Sequence, residues 1–244
     1  MEAVKTNKLR KVYRDVVAVD DLDLVVHEGE LFSLLGVNGA GKTTTIKMLT
    51  GLTRPTSGDG EVCGFSVVKE PHRVKPLIDI SMQETAVARN LTVAENIAFY
   101  AALNGMDKRD TETVKERLYR DFDLEKVKNK RAAKLSGGWQ RKLSIALALV
   151  SSPKVLFLDE PTLGLDVIAR RELWQLIRAL HGKMTIVLTT HYMEEAEALS
   201  DRIGVMKDGR LLFAGTKDEL YAKTGKGNVE DAFIALVEGG ETLA

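Results

Sequence analysis

The chain has 244 residues, enough for one large domain whose core needs neither disulfides nor a structural metal. Its single cysteine, Cys63, has no partner within the chain, and no Cys/His cluster of the zinc-binding type accompanies it. Basic and acidic residues balance at 35 each, which argues against nucleic acid as a partner. Without a secretory signal or an apolar run long enough to cross a bilayer, we expect a cytoplasmic chain that reaches a membrane only by docking.

Alternating apolar residues at 22–26 predict a half-buried strand at an antiparallel edge, which ends at the turn 28–30. The continuous apolar run at 31–35 is typical of a strand that is covered on both faces in a parallel sheet. Two later runs of the same type, 155–158 and 185–189, each adjoin a helical pattern. These segments predict an α/β fold with a mostly parallel sheet and an N-terminal antiparallel β part.

The stretch 85–152 lies between the first two apolar runs and has helical periodicity with little strand character. Thr92 and Glu95 have the spacing of a capping box, which starts a helix. Ser136 precedes the apolar run at Leu143 as a helix N-cap, and Pro153 closes that helix. The stretch therefore predicts a helical subdomain inserted into the α/β fold.

Toward the C-terminus, Asp208 and Gly209 predict a two-residue hairpin turn between strands at 203–206 and 211–213. Residues 216–219 have the pattern that caps one more helix. We expect a single domain, 1–244, built from an α/β core (1–84 and 153–215), a helical subdomain (85–152) and a helical tail (216–244).

A glycine-rich loop follows the second predicted strand and matches the pattern G-x-x-x-x-G-K-[ST] in full. Backbone N–H groups of such a loop point at phosphate oxygens, and the following helix adds its positive N-terminal dipole. Lys42 is placed to reach the β- and γ-phosphates, Thr43 to give its hydroxyl to Mg²⁺, and Thr44 to bond near the α-phosphate. The predicted ATP-binding residues here are Gly36, Val37, Asn38, Gly39, Ala40, Gly41, Lys42, Thr43 and Thr44.

Two adjacent carboxylates, Asp159 and Glu160, end the predicted strand 155–158. Ligands of α/β proteins bind at the carboxyl ends of parallel strands, so we expect Asp159 near the Mg²⁺. Glu160 is placed one residue later to face the attacking water as general base. Because carboxylates also cap loops and helices, this assignment depends on the pairing with Lys42.

Residues 135–140, Leu-Ser-Gly-Gly-Trp-Gln, closely resemble the L-S-G-G-Q signature of ATP-binding cassette (ABC) proteins, and they precede the strand at 155 by about twenty residues, as in that family. Gln83 matches the family's Q-loop, residues 164–166 its D-loop, His191 its switch histidine, and Tyr13 its A-loop aromatic, which stacks on adenine. The likeness runs from Tyr13 to about Gly215, and the tail resembles that of drug- and antibiotic-exporting cassettes.

The resemblance implies a P-loop NTPase core and a role for each matched residue. Ser136 and the amides of Gly137 and Gly138 would form a second anion site, which meets the γ-phosphate held by an opposite subunit in a head-to-tail dimer. Gln83 would touch Mg²⁺ or the attacking water, and His191 would contact the γ-phosphate and position that water. Considered without the family, a lone histidine is better explained as structural, but the place of His191 just after the strand at 186–189 reverses that preference.

Departures from the family pattern are few: Trp139 stands where glutamine is usual, Met82 where proline is common, and Leu163 and Gly164 where the D-loop more often has Ser-Ala. None removes a phosphate, metal or base ligand, so we expect both sites of a homodimer to be competent. The basic cluster at 126–134 is interpreted as a solvated surface.

The main functional hypothesis is the ATPase subunit of an ABC transporter, with export favoured, a separate transmembrane permease as partner, and a position on the inner face of the cell membrane. The alternative is a soluble ABC ATPase of cofactor assembly or of nucleic-acid or ribosome processes. A P-loop kinase would leave residues 135–140 unexplained, and a non-hydrolysing ATP binder is disfavoured by the presence of both Lys42 and Glu160.

Overall fold

A computed structural model describes residues 1–239 of the chain. The strands are β1 (Glu2–Tyr13), β2 (Val16–Leu22), β3 (Val25–His27), β4 (Leu31–Gly36), β5 (Ser57–Val62), β6 (Phe65–Ser66), β7 (Ile78–Ser81), β8 (Val155–Asp159), β9 (Thr185–Thr190), β10 (Arg202–Lys207) and β11 (Arg210–Thr216). The helices are α1 (Lys42–Leu49), α2 (Pro71–Val74), α3 (Val93–Leu103), α4 (Lys108–Phe122), α5 (Gly137–Ala148), α6 (Val167–Leu180), α7 (Met193–Leu199), α8 (Lys217–Thr224) and α9 (Val229–Gly239).

The larger sheet has the strand order β11-β10-β4-β9-β8-β7, in which only the β10–β11 pair is antiparallel. Its central strands β4, β8 and β9 are buried throughout their length. Side chains of β8 alternate between two cores, since Leu156 and Leu158 pack with the helices α3–α5 while Val155 and Phe157 pack against the second sheet. The predicted α/β fold with a mostly parallel sheet is confirmed.

The second sheet is antiparallel, with the order β2-β1-β5-β6 and β3 paired to the first half of β1. The prediction of a single strand at 22–26 is wrong, because β2 ends at Leu22 and β3 begins at Val25. Asp21 adopts a positive φ of 44°, and the carboxylate of Asp23 accepts a hydrogen bond from the Lys8 amide at 2.7 Å. The bend at Asp21 and the bond from Lys8 lie where the chain passes from β2 to β3, which pair with successive halves of one long strand.

Three α-helices, α3 to α5, lie between β7 and β8, in the stretch predicted to be helical. Both arms of the Thr92–Glu95 capping box are formed at the start of α3, as predicted. Ser136 occupies the N-cap position of α5, but its side chain makes no capping hydrogen bond, so its hydroxyl is free for another partner. The domain limits given above stay a prediction.

The C-terminal part begins with the predicted hairpin: Asp208 and Gly209 have φ of 48° and 79°, as a type I′ turn requires, and join β10 to β11. Thr216 and Glu219 then form the second predicted capping box, at the start of α8. Helix α9 packs on α7 beside the larger sheet. The tail predicted at 216–244 is described as far as residue 239, and its last residues lie outside the described part.

No helix among residues 1–239 has the length and apolar character needed to cross a bilayer.

Candidate active site

The glycine-rich loop connects β4 to α1 and borders a cleft of about 500 Å³. Gly41 sits at φ 101°, and a β-carbon there would lie 2.5 Å from the carbonyl oxygen of Ala18, so only glycine lets the loop pass this close to β2. Of the predicted residues, the structure brings together at this cleft Tyr13, Asn38, Gly39, Ala40, Gly41, Lys42, Thr43, Thr44, Gln83, Glu160 and His191.

Lys42 is the buried cation of the cleft. Its ammonium donates to the carbonyls of Gly36 at 2.7 Å and Val37 at 3.1 Å, and it lies 3.6 Å from a carboxylate oxygen of Glu160. Burial lowers the pKa of Lys42, while the negative charges of Glu160 and Asp159 oppose that shift. The geometry thus fixes one ammonium group between the loop and the acidic end of β8.

Asp159 ends β8 and is fully buried. Its Oδ1 accepts hydrogen bonds from the hydroxyls of Thr43, at 2.9 Å, and Thr189, at 2.6 Å. Its Oδ2 is buried without a hydrogen-bond partner. An unpaired carboxylate oxygen beside a threonine hydroxyl is the hard oxygen donor set that Mg²⁺ prefers, so these residues fit that ion.

Glu160 has a positive φ of 46°, an uncommon conformation for a residue with a side chain. Its amide donates to the backbone and hydroxyl oxygens of Thr189, both at 3.1 Å, which holds the residue in place. Its carboxylate lies 3.2 Å from Nδ1 of His191, although the two groups are not aligned as a hydrogen bond. The loop after β8 therefore points this carboxylate at the imidazole that follows β9.

Gln83 lies in the loop after β7 and lines the cleft. Arg141, from α5, donates at 2.6 Å to the carbonyls of both Met82 and Gln83 and reaches the carbonyl of Glu160 at 3.5 Å. The guanidinium is buried, and this burial lowers the pKa of Arg141. One side chain thereby joins the helical part of the chain to two segments of the cleft.

Tyr13 ends β1 at the outer wall of the cleft, where it is partly exposed and Lys11 lies 4.9 Å from the centre of its ring. Val16, Val17 and Ala18 continue this wall. A flat ring beside small apolar side chains is a surface on which a planar base can stack.

The signature residues lie elsewhere in the chain. Ser136 and Gly137 are exposed at the N-terminal end of α5, and none of the predicted set Ser136, Gly137 and Gly138 lines the cleft. A β-carbon on Gly137 or Gly138 would contact Leu165 or Ala169, so the start of α5 packs on the loop before α6 and on α6 itself. The structure thus separates the signature from the glycine-rich loop of the same chain.

Trp139 and Gln140, where the signature departs from the family pattern, both have contacts. The ring of Trp139 packs on the helical core beneath the ammonium of Lys142, 4.7 Å from the ring centre. The amide of Gln140 donates to the carbonyls of Ala132 and Leu135. This part of the signature therefore stabilises the turn that precedes α5.

The sequence patterns do not predict Thr189, Arg141 or the valines of the outer wall as residues of the site. Thr189 lies inside an apolar strand, where its hydroxyl carries no special pattern. Arg141 stands directly before the apolar part of α5, and only its burial in the structure shows that it needs a partner, because fully buried arginines are almost always paired.

Comparison with known sequences identifies the family. The sequence profile described as ABC transporter matches residues 19–163. The chain belongs to the ABC transporter family. It is 44% identical over 229 residues, or 92% of its length, to human phospholipid-transporting ATPase ABCA3, and it spans 13% of the length of that protein. It is 40% identical over 240 residues to the daunorubicin resistance ATP-binding protein DrrA3 of Streptomyces coeruleorubidus, and the aligned region covers 98% of this chain and 75% of DrrA3.

Solved ABC structures have the same fold. The ATP-binding subunit of an ABC transporter aligns with a TM-score of 0.85 at 28% identity, over 96% of this chain and 99% of the other. A dimeric ATP-binding cassette in a post-hydrolysis state, bound to ADP and phosphate, aligns with a TM-score of 0.78 at 26% identity, over 87% and 98%. The cassette architecture is therefore shared over nearly the whole chain.

Replacing Arg141 with lysine should lower the free energy of unfolding by about 2 kcal/mol and also weaken ATP binding, because lysine keeps the charge but cannot bond both carbonyls of the Gln83 loop. Urea unfolding and titration with a fluorescent ATP analogue measure the two effects. Arg117→Lys is the matched control, since Arg117 bonds Leu149 and Ser152 away from the cleft and should affect stability alone. Unchanged ATP affinity in Arg141→Lys would contradict the prediction.

Proposed function

We propose that this chain binds ATP with Mg²⁺ and hydrolyses it, as the ATP-binding subunit of an ABC transporter. The observation that carries the proposal is the convergence of four groups at the ends of three neighbouring strands. Lys42 begins the helix after β4, Asp159 ends β8 with Glu160 next to it, and His191 follows β9. A cation, a metal-binding carboxylate and an acid–base pair at one cleft are the groups that phosphoryl transfer to water requires.

Binding of the nucleotide is assigned to the loop and the outer wall. The amides of residues 36–41 and the start of α1 would hold the phosphates, and Lys42 would neutralise charge on the β- and γ-phosphates. Tyr13 would stack on the adenine, with Val16 and Val17 beside it. A phosphate at Lys42 would compete with Glu160 for the ammonium, which leaves the carboxylate available for water.

Mg²⁺ would be held by Thr43, Asp159 and Gln83, the same residues that the sequence predicts. The supporting observation is the unpartnered Oδ2 of Asp159 beside the Thr43 hydroxyl. When bound, the ion supplies neutralisation of the phosphate charge.

Glu160 is proposed to take the proton of the attacking water, a contribution of roughly 10² to 10⁴ in rate for a general base. The carboxylate also lies beside Nδ1 of His191, so it would orient the imidazole and leave Nε2 for the γ-phosphate. Gln83 would help to position the same water.

A second copy of the chain would complete each site. Ser136 and Gly137 are exposed and do not line the cleft of their own chain, while the free hydroxyl of Ser136 and the amides that start α5 suit an anion. In a head-to-tail homodimer these groups would meet the γ-phosphate held by the partner, giving two equivalent sites.

The membrane role is proposed by analogy with relatives. DrrA3 is described as a daunorubicin resistance ATP-binding protein, and this chain spans most of its length. We infer a separate transmembrane permease as partner, export as the direction of transport, and a position on the cytoplasmic face of the membrane.

Glu160→Gln should preserve ATP binding and lower the hydrolysis rate by about 10² or more, because the amide keeps the shape of the side chain and cannot accept a proton. Lys42→Ala should instead weaken binding itself, since the cleft loses its buried cation. Equilibrium binding of a fluorescent ATP analogue and phosphate release at saturating ATP separate the two effects. Hydrolysis by Glu160→Gln at the wild-type rate would contradict the proposed base.

Mixing two inactive variants tests the head-to-tail dimer. Lys42→Ala disables the loop of one chain, and Ser136→Arg places a bulky cation at the exposed start of α5. A mixture of equal amounts of the two variants should regain about a quarter of the wild-type rate of ATP hydrolysis. Half of the randomly paired dimers contain one chain of each variant, and each of these dimers has one intact site out of two. If each chain formed a complete site by itself, mixing would restore nothing.

The transporter assignment predicts that the chain copurifies from detergent extracts with a membrane protein of several transmembrane helices. Adding that protein in lipid vesicles should make ATP hydrolysis depend on transported substrate. Copurification with soluble proteins alone would favour a cofactor-assembly or ribosome-associated ATPase.

A further inference from the structure

Glu195 is a buried carboxylate that the proposed reaction does not use. It lies in α7, fully buried, and it is not among the residues that line the ATP cleft. Burial raises the pKa of its carboxyl group, although neighbouring hydroxyls and Arg170 act in the opposite direction. Because a carboxylate removed from water is costly unless its contacts compensate, those contacts indicate what it does.

One oxygen of Glu195 joins three segments of the chain. Oε1 accepts hydrogen bonds from the hydroxyl of Thr162 at 2.8 Å and from the indole N–H of Trp174 at 2.9 Å. Thr162 follows Glu160 by two residues, Trp174 belongs to α6, and Glu195 itself follows His191 by four residues. The side chain therefore fastens the loop after Glu160 to the segment that carries His191.

The other oxygen of Glu195 faces a second line of contacts. Oε2 of Glu195 and Nε of Arg170 are both buried without a hydrogen-bond partner, and the positive charge of Arg170 acts electrostatically on the carboxyl group of Glu195. The guanidinium of Arg170 lies 4.8 Å from the ring centre of Tyr192, and that ring lies 4.1 Å from the imidazole of His191. The negative charge of Glu195 thus stabilises the Arg170 guanidinium in its position above the Tyr192 ring. That ring packs directly on the imidazole of His191.

We propose that Glu195 is a positioning residue for ATP hydrolysis, which holds the imidazole of His191 against the carboxylate of Glu160 through Thr162 on one side and through Arg170 and Tyr192 on the other. This inference rests on the proposed function of Glu160 and His191. It assigns to Glu195 no contact with ATP, so its loss should affect turnover and leave ATP affinity unchanged.

Glu195→Gln is the most informative variant. Its amide oxygen can still accept from Thr162 and Trp174, whereas the negative charge opposite Arg170 is lost and an N–H₂ group replaces Oε2. We expect kcat to fall by about tenfold to a hundredfold, with KM and the affinity for a fluorescent ATP analogue unchanged. A merely structural role would lower the melting temperature without this separation of kcat from KM.

Glu30→Gln is the matched control. Glu30 is also a buried glutamate, paired with Arg202 at 3.2 Å, and it lies at the opposite end of β4 from the ATP cleft. Removing its charge should lower thermal stability and leave kcat at the wild-type value. Equal losses of kcat in Glu30→Gln and Glu195→Gln would overturn the inference, because the loss would then follow stability.

Arg170→Gln keeps the proposal testable if Glu195→Gln does not fold. This variant removes the cation over Tyr192 and leaves both hydrogen bonds to Oε1 in place. It should lower kcat by a factor similar to Glu195→Gln, and the double variant should match the single variants within about twofold, since both changes break one line of contacts. Wild-type kcat in Arg170→Gln, or losses that multiply in the double variant, would overturn it.

Glu160→Gln and His191→Ala, measured in the same assay, distinguish the positioning role of Glu195 from the proposed roles of Glu160 and His191. If both lose hydrolysis while Glu195→Gln retains the wild-type kcat, the positioning role is wrong and the proposed function stands. If Glu160→Gln hydrolyses ATP at the wild-type rate, the role of Glu160 as general base is wrong and the inference about Glu195 is overturned with it.

Discussion

Asp159 lies at the carboxyl end of a central strand, without solvent exposure, and one of its carboxylate oxygens accepts hydrogen bonds from Thr43 and Thr189. Removing such a charge from water costs several kcal/mol, and hydrogen bonds to a charged group return about 1.5 to 3 kcal/mol each. The donors belong to α1 and β9, so the same two bonds that offset the burial of the charge also fix the glycine-rich loop and the His191 strand relative to β8. The position of Glu160 depends on the same contact, since its amide bonds Thr189.

The oxygen left unpaired on Asp159 explains why this arrangement suits a catalytic site better than a structural one. A fold selected only for stability would satisfy both oxygens or replace the carboxylate with an apolar residue. Here Lys42 and Glu160 are likewise buried, and Glu160 holds a strained backbone conformation. Three charged groups and one uncommon φ are concentrated where β4, β8 and β9 end, while the rest of those three strands carries no charged residue.

The sequence was sufficient to predict features whose physical cause is local. The glycine-rich loop, both capping boxes and the Asp208–Gly209 turn each depend on a few adjacent residues, and each formed as predicted. The pairing of strands that lie far apart in the sequence was harder to predict. The strand β1 carries lysines among its apolar residues. It pairs with β2 across a short turn, whereas its pairs with β3 and β5 join residues about twenty or more positions apart. The break between β2 and β3 follows from this pairing, which no local pattern reveals.

Buried charged residues were also difficult to predict, because a sequence does not tell which face of a helix is covered. Helix α7 contains three glutamates, of which Glu194 is exposed, Glu197 is half-buried and bonds Tyr221, and Glu195 is fully enclosed. Only the packing of α6 against α7, and of the loop after Glu160 against both, distinguishes them. The spacing of Glu160 from His191 was similarly beyond prediction, since it results from the pairing of β8 with β9.

Arg141 shows how a buried charge outside the cleft connects the parts of the molecule. It lies about one turn from the start of α5, where Ser136 and Gly137 are exposed, and it bonds the carbonyls of Met82 and Gln83 and reaches that of Glu160. A helix moves as a stiff unit, so a displacement of the Gln83 loop or of Glu160 would shift the exposed start of α5 as well. On the proposed function, that start faces the nucleotide of the partner chain. The contacts of the Arg141 guanidinium would then couple the two ATP sites of the dimer, because neither end of α5 can move alone.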